Sequence, residues 1–179
     1  MSSILKVSEI QDPTSGKKIL QNTGGVLQIK HAVTASITSS SSGSGSFVDI
    51  TGLTLNITPT SSTNKLLIMT SVSTGADQWG LGFRILKDGS VTDLIGDNES
   101  GNQTEVTGSS VSYGSNDDEI NTASFQGVIT AGTTSQVTIK VQGSARSSNA
   151  WKVNASDDDS NASSRQRACS SLVVMEISA

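Results

Sequence analysis

The side chains that nucleophilic catalysis needs are scarce in this chain. A serine or cysteine nucleophile is normally activated by a nearby base, and His31 is the single histidine among the 179 residues. No Gly-x-Ser-x-Gly sequence, which would present a serine on a sharp turn, occurs. His31 stands in an alternating apolar run, so we expect its ring in a core or at a subunit interface. These residues predict a protein without enzymatic activity.

The single cysteine, Cys169, offers neither an internal disulfide nor a zinc site. One cysteine cannot pair within the chain, and one histidine and one cysteine far apart in sequence do not make a dedicated zinc site. Cys169 stands beside an apolar run at residues 171–177. The sequence therefore predicts a buried, unreactive thiol.

Two acidic clusters contain the oxygen ligands that calcium prefers. One is residues 157–159 with Asn161, and the other is residues 116–119. Neither cluster has the alternating ligands and distal glutamate of an EF-hand, so we predict solvated loops, with no metal and no cofactor. Two carboxylates that meet in space could also hydrolyse a glycan. A domain of this size leaves little room for a substrate cleft, which disfavours that alternative.

Three aromatic residues are the best candidates for ligand contact: Trp79, Tyr113 and Trp151. Each lies in or beside a segment rich in Gly, Ser and Asn, a composition typical of loops. Many binding modules hold their ligands through aromatic side chains. Packing in the core or at a subunit interface is the first expectation for these residues, and contact with a ligand is the alternative. We predict that any ligand contact is made from exposed loops that include Trp79, Tyr113 or Trp151.

The charge and hydropathy of the chain disfavour two classes of partner. The formal net charge is −4 and the pI is about 4.8, so there is no electrostatic attraction to a phosphate backbone and we expect no nucleic acid. No apolar stretch approaches the roughly 20 residues that cross a bilayer, and no basic-then-apolar leader opens the sequence. We expect a protein made in the cytoplasm, without membrane insertion or secretion.

The elements that would position these residues are short β-strands. In residues 81–86, large apolar residues alternate with others, as in a strand with one buried face. Asp88 and Gly89 follow, and both tolerate the positive φ of a type I′ turn. A second run at residues 91–95 completes a predicted antiparallel hairpin.

Similar strand signals recur along the chain. Further strands are predicted at residues 26–33, 47–50, 53–57, 65–73, 123–129, 136–142 and 172–177. Two of them, 65–73 and 172–177, are apolar on both sides, which predicts the centre of the fold. Polar stretches at 98–109, 115–119 and 144–164 are predicted as long surface loops. Many short strands without a helical period predict an all-β fold, an antiparallel jelly roll or β-sandwich.

The chain divides into three predicted segments. Residues 1–25 form a small hairpin or arm, residues 26–46 hold the first strand and a Ser/Gly-rich loop that starts at Thr38, and residues 47–179 form the jelly-roll body. Only 34% of residues are hydrophobic and 3% are aromatic, so the core of one body is small. This composition favours further burial between subunits.

Several segments of the sequence resemble those of a known class of proteins. They are SILKVSEIQDPTSGKKIL near the start, then GVLQIKHAV, FVDITGLTLNITPTSSTNKLLIMTSV, FRILKDGSVTDLIGD and the final SLVVMEISA. Together they resemble short fibre or appendage proteins of tailed phages, especially phages of marine cyanobacteria. The resemblance covers most of the chain and is weakest over residues 104–164.

The resemblance implies a non-enzymatic virion structural protein, a homotrimeric tail fibre or appendage with a jelly roll similar to the tumour-necrosis-factor fold. It implies docking to other virion proteins through the arm, by Ile4, Leu5, Val7, Ile10, Ile19 and Leu20. It implies an inner strand at residues 172–177 and a strand near the trimer axis, with Leu27, Ile29, His31 and Val33 in the trimer interface. The distal loops would contact a host cell-surface glycan or protein. Two alternatives are a capsid decoration or cement protein that stabilises the shell, and a soluble carbohydrate-binding module.

Overall fold

A computed structural model describes residues 10–11, 18–20, 24–41, 45–76, 79–97, 101–112, 119–146 and 150–179 of the protein, and all regular structure within these residues is β-strand. This confirms the predicted all-β class. The strands, numbered along the chain, are β1 (Ile10–Gln11), β2 (Lys18–Leu20), β3 (Val26–Thr34), β4 (Thr38–Ser40), β5 (Val48–Ile57), β6 (Lys65–Ala76), β7 (Trp79–Lys87), β8 (Ser90–Val91), β9 (Gly108–Ser112), β10 (Asn121–Thr130), β11 (Val137–Ala145), β12 (Trp151–Val153) and β13 (Ser170–Ile177).

Two antiparallel sheets pack face to face. The first has the strand order β10, β6, β13, β3. Two short strands belong to the same sheet: β12 pairs with β6 beyond the end of β13, and β4 pairs with β12 beyond the end of β3. The second has the order β5, β11, β7, with β8 and β9 pairing at opposite ends of β7. Because the chain crosses repeatedly between the sheets, the fold is a jelly-roll-like β-sandwich, as predicted.

The core lies between the sheets and consists of alternate residues of the long strands. Phe83 and Trp151 are its largest side chains, and both are fully buried. Phe83 stacks on Phe125 with ring centroids 5.9 Å apart. Aliphatic side chains from both sheets surround them: Ile50, Leu53, Ile57, Leu66, Ile68, Val72, Ile85, Ile139, Leu172 and Val174. Each fully buried side chain of this kind contributes about 1.5–3 kcal/mol to folding.

The hairpin of β7 and β8 confirms the predicted turn and corrects the strand after it. Asp88 and Gly89 have φ angles of 52° and 83°, as a type I′ turn requires. The predicted strand at 91–95 is wrong, because pairing stops after Ser90–Val91. The amide and hydroxyl of Thr92 both donate to one carbonyl of β7, at 3.0 and 3.1 Å, and the chain leaves the sheet there.

The strand β5 joins two predicted strands, 47–50 and 53–57, into one. Its pairing with β11 shifts register in the middle, where Gly52 has a φ of 84°. A Cβ atom at this position would lie 2.6 Å from the side chain of Thr34. The bulge therefore needs glycine, both for its backbone conformation and for its close approach to the other sheet.

Some of the predicted loops contain strands. In the Ser/Gly-rich stretch, β4 pairs with β12, and the buried Thr38 accepts a hydrogen bond of 2.8 Å from the Thr51 amide. The strand β9 starts inside the predicted loop 98–109, and 144–164 contains the end of β11 and all of β12. The loop predictions are wrong in these places. The strands β4 and β9 and the end of β11 consist mostly of small polar residues without an apolar alternation, and the apolar alternation of β12 is only three residues long.

The N-terminal hairpin and the first long strand belong to different sheets. β1 pairs with β2, with Ile10 opposite Leu20, which confirms the predicted small hairpin. β3 instead pairs along β13 in the body, and beside the start of this pair the Gly24 amide donates to the Ser178 carbonyl at 2.9 Å. The strand of the predicted segment 26–46 is therefore part of the jelly-roll body.

Candidate functional site

The outer face of the first sheet carries apolar side chains that the described chain leaves partly uncovered. We call this surface the apolar face and define it by outward-pointing residues of β3, β13, β6 and β10: Leu27, Ile29, Val33, Val173, Met175, Ile177, Leu67, Met69 and Val128. Strand register aligns Ile29, Met175, Leu67 and Val128 in one row across all four strands. In β6 and β13 the alternate residues fill the core, so these two strands are apolar on both sides.

The exposed apolar side chains make this face the candidate interaction surface. Ile29, Val33 and Val128 are 55%, 63% and 50% exposed, and the residues of β6 and β13 on this face are half-buried. Soluble monomers rarely expose a large contiguous apolar patch, and such a patch usually binds a partner. The strands predicted at the centre of the fold, 65–73 and 172–177, lie in the middle of the first sheet, as predicted. Within one chain, however, only their core side is fully covered.

The predicted interface residues share the apolar face. They are Leu27, Ile29, His31 and Val33. The register places His31 beside Val173, which lies beside Met69, and its side chain is exposed. Of the two positions predicted for His31, the core is therefore wrong, and the subunit interface stays a prediction.

Polar residues lie at both margins of the apolar face, next to Ile177 at one margin and next to Val33 at the other. Towards the chain termini, Lys65 Nζ donates to Thr130 Oγ1 at 2.8 Å. Towards the opposite end, Ser171, Ser71 and Ser124 occupy one row, and the Ser124 hydroxyl lies 3.4 Å from that of Ser71. An apolar centre with a polar margin is the usual arrangement of a subunit interface.

On the outer face of the second sheet the outward side chains of β5 and β11 are polar and bond to one another, while Leu86 of β7 lies buried on the same face. We call it the polar face and define it by Asp49, Thr54, Asn56, Arg84, Thr138, Lys140 and Gln142. Lys140 and Gln142 donate to the two carboxylate oxygens of Asp49 at 2.8 and 2.6 Å, and these bonds lower the pKa of Asp49. The Arg84 guanidinium donates to Gln142 at 2.9 Å and lies 4.0 Å from the ring centre of Phe47.

The connections next in sequence to the three predicted ligand-contact residues join strands at one end of the sandwich. Residues 77–78, 113–118 and 147–149 join strand ends that all lie opposite to the end where Gly24 and Ala179 are found. We call this the loop end. The antiparallel topology thus brings together strand ends that are far apart in sequence.

Trp79 and Tyr113 are linked by the pairing of β7 with β9. Trp79 is opposite Ser112, the residue before Tyr113. For Trp79 the structure describes the backbone only, and Tyr113 lies outside the described residues. Their contact with a ligand stays a prediction.

Trp151 is a core residue, so the prediction that it contacts a ligand from an exposed loop is wrong. It opens β12, paired with Ala76 on one side and Ser40 on the other, and its side chain is fully buried. A Cβ atom at Gly143 would lie 3.0 Å from the Trp151 ring, so glycine makes room for the indole. The alternation of Trp151 and Val153 around a lysine was the sequence signal for this strand.

Cys169 is exposed, which corrects the predicted buried thiol. It lies just before β13, outside the paired strand, where its carbonyl accepts a hydrogen bond of 3.2 Å from the Ser73 hydroxyl. The apolar run beside it begins three residues later, at Leu172, so proximity in sequence to that run did not imply burial.

The acidic cluster at residues 157–159 forms ion pairs. Asp158 accepts from Arg165 at 2.5 Å, and Asp159 accepts two bonds from Arg167, at 2.5 and 2.9 Å. Of the other cluster, the structure describes Glu119 alone. Within the described residues, no three metal-ligating side chains come together. The absence of a bound metal stays a prediction.

Sequence reasoning missed one buried carboxylate, Glu176. Its oxygens accept hydrogen bonds of 2.6 Å from Gln28, 2.7 and 2.8 Å from Thr60, and 2.6 Å from Asn64. Burial raises the pKa of Glu176, but these bonds outweigh burial and lower the pKa to about 2. Every second side chain of β13, including those of Leu172 and Glu176, points into the core. This alternation was the sequence signal for the burial of Glu176.

The predicted docking residues fall partly inside the described chain. Ile10, Ile19 and Leu20 lie in β1 and β2, whereas Ile4, Leu5 and Val7 lie outside the described residues. Their contact with other virion proteins stays a prediction.

Comparison of the chain with protein-family models gives no match, and comparison with curated proteins gives none either. Across the described ranges, no helix has the length and apolar character needed to cross a bilayer. The class that the structure defines is an all-β, jelly-roll-like sandwich. The features of the molecule that bear on its function are its two unlike outer faces and its loop end.

Proposed function

We propose that this protein is a non-enzymatic virion structural protein of a tailed phage, a homotrimeric tail fibre or appendage. The observation that carries the proposal is the apolar face. An isolated sandwich of this kind would leave Ile29, Val33 and Val128 in water, and association removes them from water at about 25 cal/mol for each Å² of apolar surface buried. The sequence resemblance to phage fibre proteins supports both the choice of three subunits and the virion setting.

The placement of the chain termini supports an attachment end and a recognition end. The body begins at Gly24, hydrogen-bonded to Ser178, so the arm and the C-terminus leave from the same end of the sandwich. The loop end lies at the far end of β3, whose nine residues span about 30 Å. In the proposed appendage, the arm docks to the particle and the loop end faces the host.

The oligomeric state is the first test of this function. Sedimentation of the purified protein at micromolar concentration is expected to give a trimer of the 18.4 kDa chain. A stable monomer that unfolds cooperatively would contradict the proposal, because the apolar face would then be open to solvent. A dimer would keep the interface and overturn the choice of three subunits.

The arm and the place on the particle form the second test. Deletion of residues 1–23 is expected to spare the trimer and its thermal unfolding while it abolishes incorporation into virions. An unfolded truncation product would show that the arm is part of the core. Density for the protein at the tail in an electron-microscopy map supports the appendage, whereas a regular lattice on the shell would support the decoration protein instead.

A further inference from the structure

The two long edge strands of the first sheet, β3 and β10, both carry exposed apolar residues. On β3 these are Val26, Leu27, Ile29 and Val33, and on β10 it is Val128. Within the described residues, β3 pairs only with β13, and β10 pairs only with β6. A long unpaired edge is a template for another chain, and proteins normally cover it. In the described part of the chain, the apolar face therefore has an unpaired edge on each side.

A cleft borders the edge of β10 near the chain termini. It lies between the β7–β8 hairpin and the last residues of β10, encloses about 440 Å³, and is lined on the β10 side by Ile129 and Thr130. Leu94 packs over Gly127, and the cleft begins beyond that contact. Across the described ranges, the edge of β10 beside Val128 is therefore open to a further strand.

A ring of three identical subunits needs two different surfaces on each subunit. A surface that contacts its own copy closes a dimer, whereas a threefold ring is built from head-to-tail contacts between unlike surfaces. The two edges of the apolar face are such a pair, since β3 and β10 differ in sequence and lie on opposite sides of one sheet. Contact between the β3 edge of one subunit and the β10 edge of the next would therefore close a trimer.

The two edges match in height along the strands and in direction. The register places Ile29 in the same row as Val128, and Val26 in the same row as Thr130. Three antiparallel pairings separate β3 from β10, so these strands run in opposite directions. In the proposed appendage all three arms leave towards the particle, so the threefold axis follows the strands. Rotation about this axis keeps height and direction, and it brings the β3 edge level with, and antiparallel to, the next β10 edge.

We propose that β3 of each subunit packs antiparallel against β10 of the next subunit, so that the trimer closes head to tail. Ile29 of one subunit then lies beside Val128 of its neighbour, and both exposed side chains leave water. The central strands β13 and β6 face the threefold axis, and β3 lies in the contact between subunits. The inference rests on the proposed homotrimer and names the two surfaces that join its subunits.

Oxidative cross-linking of the full-length protein tests this contact directly. The background is Cys169→Ser, which removes the exposed native thiol. In this background, Ile29→Cys with Val128→Cys is expected to give covalent trimers in non-reducing denaturing electrophoresis, because each chain is joined to the next. Within one sheet the two positions are about 14 Å apart, three strand spacings, which is too far for a disulfide. Each single variant should remain a monomer on the gel, and cross-linked dimers of either would indicate a self-complementary face and overturn the proposal.

A pair of opposite charges tests the same contact without a covalent bond. Ile29→Lys and Val128→Glu are each expected to weaken association about 100-fold or more, because each leaves an unpaired charge in a buried contact. The double variant should recover about tenfold or more of that loss, since the two new charges attract across the contact. Losses that simply add in the double variant would show that the two positions do not meet.

The matched control is Val111→Glu. Val111 is 45% exposed, close to the 50% of Val128, but it belongs to β9 in the second sheet. This variant should sediment as the unaltered protein does. Its dissociation would show that the contact is not confined to the two edges of the first sheet, and would overturn the proposal.

Sedimentation of the same samples separates this inference from the proposed assembly. A trimer whose double cysteine variant stays uncross-linked would refute the edge contact and leave the assembly intact. A monomer would refute the assembly and the edge contact with it. Thermal unfolding of each variant shows whether a loss of association reflects a loss of fold.

Discussion

The two outer faces of this sandwich differ in the polarity of their side chains, although both belong to antiparallel sheets that cover the same core. On the polar face, outward positions such as Asp49, Lys140 and Gln142 bond to one another and meet water. On the apolar face, the equivalent positions hold Ile29 and Met175, in a row that continues across the sheet. Antiparallel sheets normally have one solvated face. The second sheet keeps that rule and the first does not, and the proposed assembly would account for this difference.

The largest effect is expected from charges placed on the apolar face. The double variant Ile29→Asp with Met175→Asp should dissociate the trimer to monomers without unfolding them, because each unpaired carboxylate buried in an interface costs about 3–5 kcal/mol. Sedimentation and circular dichroism measure the two consequences separately.

The matched control puts the same two charges on the polar face. Thr54→Asp with Asn56→Asp should leave the trimer intact, since both positions are exposed on β5. If the apolar-face variant sediments like the unaltered protein, or if both variants dissociate, the two faces do not differ in the way described.

A change in the core between the faces should weaken folding itself. Trp151→Ala is expected to lower the free energy of unfolding by about 3–5 kcal/mol, because it removes a fully buried indole and leaves a cavity. Urea unfolding measures this loss, and Trp151→Phe should lose less. Impaired adsorption to host cells with unchanged stability would instead return Trp151 to the role of a ligand contact.

The buried carboxylate of β13 should make stability depend on acid. The pKa of Glu176 in the fold, about 2, lies below the ordinary value of 4.5, so its stabilisation is complete above pH 4.5 and is lost as the pH falls towards 2. The shift corresponds to about 3 kcal/mol.

The variant Glu176→Gln measures that contribution. It is expected to unfold more easily than the unaltered protein by about 3 kcal/mol at pH 7, because an amide cannot accept all the hydrogen bonds that Thr60, Asn64 and Gln28 donate. The difference should shrink as the pH approaches 2. A difference that does not change with pH would show that shape, rather than charge, is what this position supplies.

The smallest effect is expected from the ion pair of the polar face. Asp49→Asn should change the free energy of unfolding by less than about 1 kcal/mol, because Asp49 and Lys140 remain partly exposed, with 48% and 36% of their side chains accessible. The variant should also sediment as the unaltered protein does. A loss of association on this change would mean that the polar face takes part in the assembly.

The long strands could be predicted because their alternation of apolar and polar residues does not depend on which strands they pair with. In β11, Val137, Ile139 and Val141 alternate with polar residues, and any sheet with one buried side would place them in its core. The turn at Asp88 and Gly89 was predictable for the same local reason, since both residues accept positive φ.

The features that escaped prediction depend on contacts between distant parts of the chain. Trp151 is buried because β12 pairs beyond the end of β13, and Glu176 is satisfied by Thr60 and Asn64, more than a hundred residues away in sequence. The outward glycines of β7 are visible in the sequence, but the loop whose Val106 packs over Gly82 is not. The alternation of apolar residues identifies a strand, whereas its register with the neighbouring strands determines which residues its two sides contact.

The pairing of β3 with β13 also determines how the molecule would resist mechanical load. A chain held through the residues before Gly24 and pulled from the loop end would be stretched along the axis of β3. The hydrogen bonds between β3 and β13, from Thr34 opposite Ser170 to Val26 opposite Ile177, lie across that axis. They would be strained together in shear, rather than opened one after another as in a zipper. A tether attached in this geometry is strong without any disulfide.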